Sequence, residues 1–157
     1  MKTNLAFPRR QAAKRAVGIQ YAALPYRLSG ETVEVLLVTS RRTRRWILPK
    51  GWPIVGHRPP ACAANEALEE AGVRGEMQKN AVGHYHYLKY HRDGSSEPCK
   101  VDIFALKVTH EENSWAEKDE RERRWCTIAE AAAAVGEPQL RLVILKFGAQ
   151  MTAAQRH

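Results

Sequence analysis

The sequence predicts a single domain of the α/β (α+β) class, a mixed β-sheet with helices packed on it. Three observations predict it. At 157 residues the chain has the length of one domain and can bury a core without disulfide or metal staples. Hydrophobic residues make up 44% and charged residues 27%, the balance of a folded protein rather than a disordered one. Strand-like runs come first, then one helix-like run, then strands again, then helices, an order that builds a sheet with helices packed against it.

Each element follows in turn. Val17 to Leu28 is rich in apolar and aromatic residues and predicts a strand, closed by the turn pair Ser29-Gly30. Val33 to Ser40 is a nearly continuous apolar run of strand length, expected inside the sheet. Trp46 to Leu48 predicts a short strand cut by Pro49. Residues 51–60 hold three prolines and two glycines and read as a loop. Pro59-Pro60 suits a helix start, where a missing N–H costs nothing, and Gly72 suits the position after the helix end. Residues 81–92 and 99–110 predict a hairpin joined through Asp93-Gly94-Ser95-Ser96. Thr127 with Glu130 three residues on is a capping-box pattern, and a last helix is expected from about Pro138 to Met151.

Residues 1–15 are basic and lack acids. Without a long apolar stretch they are no secretory signal, and they read as a flexible basic arm ahead of a domain spanning 16–157. An Arg-rich transit peptide is the alternative. No apolar run approaches the ~20 residues of a membrane span, so no membrane partner is expected. The three cysteines, Cys62, Cys99 and Cys126, form no C-x-x-C pair, which argues for a reducing, cytoplasmic setting.

The informative segment is Asn65 to Gly72. Glu66, Glu69 and Glu70 stand three and four residues apart, on one face of a helix. Like charges so placed repel. A hard divalent cation, Mg²⁺ or Mn²⁺, would remove the penalty, because such ions prefer carboxylate oxygens, water and phosphates. A solvated acidic helix face is the alternative, and spacing alone does not separate the two.

The surrounding sequence does. Residues 51–73, GWPIVGHRPPACAANEALEEAGV, resemble the signature of the Nudix family, G-x5-E-x7-R-E-U-x-E-E-x-G-U, where U is aliphatic. Gly51, Glu66, Glu69, Glu70, Gly72 and Val73 match without a gap, with Ala67 at the first U position. Two positions depart: the loop glutamate is His57 and the arginine before the first helix glutamate is Asn65. The resemblance implies a mixed sheet between helices and hydrolysis of a diphosphate by water. It implies metal ligation by Glu66, Glu69, Glu70 and the backbone carbonyl of Lys50. The base would be one of the three glutamates or a later carboxylate, Glu120 or Glu122.

Substrate class follows from charge. The net charge is +8, which implies an anionic partner, and Arg41, Arg42, Arg44 and Arg45 crowd the end of the second strand. Guanidinium groups grip phosphates in bidentate fashion. The layout is most similar to the diphosphoinositol polyphosphate phosphohydrolase and diadenosine polyphosphate hydrolase branch. By position, Ser40, Arg41, Arg45, Lys50 and Gly51 are the candidate substrate contacts. Two other functions stay open: a non-catalytic anion-binding module and an RNA 5′-pyrophosphohydrolase, although no RNA-binding motif is present. His84 and His86 alternate on a strand face but lack a third ligand nearby, so packing is expected. Trp46, Trp115 and Trp125 are expected to pack rather than stack a base. A monomer or a homodimer is equally compatible with the sequence.

Overall fold

The computed structural model describes residues 17–155; the basic arm of residues 1–15 lies outside them. The elements run β1 (Gly18–Ser29), β2 (Thr32–Thr39), β3 (Trp46–Ile47), β4 (Lys50–Gly51), α1 (Pro59–Glu66), β5 (Val73–Met77), β6 (Gly83–Tyr90), β7 (Ser96–Glu111), β8 (Arg123–Thr127), α2 (Ile128–Ala134) and α3 (Pro138–Gln155). A π-helical turn, Ala67–Ala71, prolongs α1.

The mixed sheet is organised on β1 and β7, which run parallel from Gly18 beside Cys99 to Tyr26 beside Lys107. All other pairings are antiparallel: β2 and β4 on β1, β3 and β8 on β2, β5 and β6 on β7. Successive strand residues point to opposite faces, so the apolar runs feed two cores. Leu24, Val35, Leu37, Val101 and Ile103 pack with Ala131, Leu140, Ile144 and Phe147 of α2 and α3. Ala23, Leu36, Val38, Phe104 and Leu106 pack with Ala63 of α1 and with Ala67 and Ala71 of the π turn that prolongs it. The helices therefore sandwich the sheet, as the resemblance implies. Small alanines on the inner face of α1 let its backbone lie close to the strands.

Most predicted elements appear with shifted ends. Pro59 and Pro60 occupy the first helical positions. Gly72 adopts φ 68°, the left-handed conformation that closes the π turn. Gly94 turns the β6–β7 hairpin at φ 87°. Thr127 and Glu130 form the reciprocal capping box. Three strands are additions: β4, where a loop is expected, β5, and β8, whose charged residues conceal it. β8 pairs with β2 from Glu34 opposite Thr127 to Val38 opposite Arg123, and only that pairing makes it a strand. No helix is long and apolar enough to cross a membrane among the described residues. The three cysteines are free and buried.

Candidate active site

Strand β4 and the end of α1 build the centre of the site. β4 lies beside β1, with Ala22 opposite Lys50 and Tyr21 opposite Gly51. This brings Gly51 under the Glu66 carboxylate so closely that a Cβ there would stand 2.5 and 2.8 Å from its two oxygens. The Lys50 amide donates to Glu70 Oε1 at 3.4 Å. A glycine is thus required at position 51 by close approach, not by φ.

The carboxylates divide unequally. Glu66 and Glu70 come within hydrogen-bonding reach of each other; Glu69 is half-buried, as Glu66 is, and its charge acts on Glu66. The wider π turn rotates less per residue than an α turn. Glu70, four residues on, therefore stays near Glu66. Burial pushes Glu70 up to about 8, against the pull of the Arg121 guanidinium and with help from Glu66 and Glu117. Burial also raises Glu66. Two half-buried to buried acids facing each other hold less negative charge than they could until a cation joins them.

The donor set suits a hard divalent ion that keeps several waters. Among the described residues no three His, Cys, Asp or Glu side chains are grouped as a ready cage, so Glu66 and Glu70 leave further positions to backbone, water and substrate oxygens. The two departures from the box meet in space: His57 and Asn65 line one cavity of about 290 Å³ together with Arg74. Two absent charges there leave no buried ion unpaired.

The later carboxylate that reaches the helix is Glu117. Its amide donates to the Glu69 carbonyl at 2.9 Å, and its Oε1 accepts from Arg121 Nε at 2.8 Å. Glu120 and Glu122, the two candidates from sequence, instead pair with Arg41 at 3.2 Å and Arg44 at 3.3 Å. Nothing in the local pattern of residues 112–122 singles out Glu117; the signal is tertiary.

The basic cluster is less free than its sequence suggests. Ser40 Oγ is engaged in its own turn, meeting Thr43 Oγ1 at 2.7 Å and accepting from the Arg45 amide at 3.0 Å. Arg44 sits at φ 56° and its Nη1 donates to the Glu120 carbonyl at 3.0 Å. Arg45 pairs with Glu137 at 3.2 Å. Lys50 carries no such pair. Its ammonium lies 4.7 Å from the Tyr87 ring centroid with no carboxylate bonded to it among the described residues, and burial lowers it to about 8. Three of the four tryptophans carry a guanidinium: Arg27 lies 4.1 Å from Trp125, Arg124 5.0 Å from Trp46 and Arg123 4.3 Å from Trp115. His84 and His86 sit edge to face at 5.6 Å, exposed.

A family model described as NUDIX domain matches residues 19–147. The chain belongs to the Nudix family. Among similar curated proteins, "Nudix hydrolase 16, mitochondrial" of Arabidopsis thaliana is 35% identical over 116 residues, 72% of this chain and 64% of that protein. "Nudix hydrolase 12, mitochondrial" of the same plant is 37% identical over 63% of this chain and 50% of its own length. "Diphosphoinositol polyphosphate phosphohydrolase 3-alpha" of Mus musculus is 29% identical over 70% of this chain and 64% of its own. This Nudix chain thus spans about half to two thirds of the length of the curated relatives it matches. A solved C. elegans Ap4A hydrolase in a binary complex shares the fold, with TM-score 0.66 at 20% identity over 87% of this chain and 99% of that one.

Proposed function

We propose that this Nudix chain is a Mg²⁺-dependent pyrophosphohydrolase, with Mn²⁺ as substitute, that cleaves a phosphoanhydride bond in a diphosphoinositol polyphosphate or a dinucleoside polyphosphate. The observation that carries the reading is the Glu66–Glu70 pair, buried against the Lys50 amide over Gly51. Glu66 and Glu70 would hold the metal with the Lys50 carbonyl, and the bound ion would neutralise charge developing on the phosphate oxygens. The Lys50 ammonium would grip a substrate phosphate. Glu69 on the same helical segment and Glu117 on the loop bonded to it are the two carboxylates left to accept the proton of the attacking water. Arg41 reaches phosphate by exchanging an exposed ion pair, which holds it only weakly, and the half-exposed Arg45 does so by turning away from Glu137.

The names of the mouse relative and of the worm structure support the two substrate classes. The reading assigns residues 16–157 to the domain and a cytoplasmic setting to the protein, in keeping with three unpaired cysteines. Import of the tagged chain into isolated mitochondria would overturn the setting.

The test is phosphate release, with Mg²⁺ and with Mn²⁺, from diphosphoinositol polyphosphates, diadenosine polyphosphates and 5′-triphosphorylated RNA. Removing a metal carboxylate through Glu70→Gln is expected to cost about 10²-fold or more in kcat. Unchanged turnover in that variant would sink the assignment. Turnover confined to RNA, steeply weakened by salt, would replace the small-molecule reading.

A further inference from the structure

Among the described residues Arg121 is the most deeply buried of the ion-paired arginines, with its side chain 7% exposed. Its guanidinium joins three groups. Nε donates to Glu117 Oε1 at 2.8 Å, Nη1 to the Thr39 carbonyl at 3.0 Å, and Nη2 faces Glu70 Oε2 at 3.5 Å. Arg41, Arg44 and Arg45 are about half exposed and can trade partners with water. Arg121 cannot, because withdrawing it would leave Glu70 and Glu117 facing each other without a cation.

The segment that carries Arg121 is docked by other bonds. The Glu112 amide donates to the Gly72 carbonyl at 2.7 Å, the Glu117 amide to the Glu69 carbonyl at 2.9 Å, and the Thr39 amide to the Glu122 carbonyl at 3.0 Å. The Trp115 ring fills the space a side chain at position 72 would need. The buried guanidinium is therefore not needed merely to hold the loop down. It places a fixed positive charge on the carboxylate cluster, on a chain whose helix carries the neutral Asn65 just before Glu66.

We propose that Arg121 is a built-in counter-cation of the candidate metal site, a positioning residue that holds Glu70 and Glu117 in place and competes with the divalent ion for Glu70. This rests on the metal-site reading above. A divalent ion on Glu66 and Glu70 comes within a few ångströms of the guanidinium, where like charges at low effective dielectric repel strongly. The guanidinium keeps the metal-free cluster assembled and sets a floor on the ion concentration needed to load it.

The experiment is a Mn²⁺ titration of the whole chain without substrate, followed by the electron paramagnetic resonance of the free ion, for wild type, Arg121→Gln and Arg121→Lys. Removing the charge is expected to tighten Mn²⁺ binding by about tenfold or more. Lysine keeps the charge and is expected to stay within about threefold of wild type. In parallel, Arg121→Gln should melt lower than wild type in chelator and gain more from saturating Mn²⁺. Mn²⁺ binding by Arg121→Gln that is equal to or weaker than wild type would overturn the inference and leave the proposed function standing. Absence of Mn²⁺ binding in wild type and in folded Arg121→Gln alike would overturn both. If Arg121→Gln does not fold, Arg121→Lys decides: affinity near wild type supports a charge role, and a loss of about tenfold or more refutes it by making the planar fork the requirement.

Discussion

Gly51→Ala should abolish most of the activity while leaving the fold intact. Position 51 has no left-handed backbone requirement, since the positive-φ residues lie elsewhere, so alanine meets no conformational penalty there. Its methyl would stand 2.5 and 2.8 Å from the two Glu66 oxygens, where contacts of about 3.5 Å are ordinary. The Glu66 carboxylate must retreat by about 1 Å. It can do so at little cost to stability, being the end of a flexible side chain. A displacement of that size in a reacting constellation costs on the order of 10²-fold in rate. The assay is kcat with Mg²⁺ on the preferred substrate, beside a urea unfolding curve. The expected result is a loss of about 10²-fold in kcat with stability within about 1 kcal/mol of wild type. Gly94→Ala is the control: its φ is 87° with open space around it, so it should lose about 1 kcal/mol and no activity. A Gly51→Ala enzyme with wild-type kcat would refute the placement of Glu66 at the reacting centre.

Other outcomes follow from the same geometry. Glu70 is raised from the ordinary carboxylate value of 4.5 to about 8, so the metal-free folded state binds a proton that the unfolded state has lost. Its stabilising contribution is complete below about pH 4.5 and disappears as pH rises through about 8. Thermal melting in chelator should show that decline relative to Glu70→Gln, and parallel profiles of the two proteins would contradict it. Lys50→Gln should raise KM by about tenfold with kcat little changed, the mark of a contact made equally in ground and transition states. Wild-type kcat/KM should also fall above about pH 8, as the Lys50 ammonium loses its proton, and the variant should lack that limb. Gly72→Ala combines a left-handed residue with overlap on the Trp115 indole and should lose about 2 kcal/mol or more in urea unfolding. A loss under about 0.5 kcal/mol would mean that Trp115 moves freely.

The sequence by itself determined the domain class, the central strands and the helix with its proline start and glycine stop, and it set Glu66, Glu69, Glu70, Lys50 and Gly51 close together along the chain. Those features are local. Hydrophobic period, capping chemistry and offsets within a helix are set by residues a few positions apart. Tertiary structure decided the rest. It made a strand of Arg123–Thr127 by pairing it with β2, which no propensity of that charged run requires. It brought the carboxyl groups of Glu66 and Glu70 together across one widened helical turn. It docked Glu117, rather than Glu120 or Glu122, by a backbone bond to a helix more than 40 residues earlier. It made Arg121, one of three arginines in the mixed-charge stretch of residues 119–124, a buried guanidinium on the acidic cluster. The physical reason is common to all four. Electrostatic and hydrogen-bond partners are settled by distance after packing, and the sequence lists charges without saying which of them will be driven together.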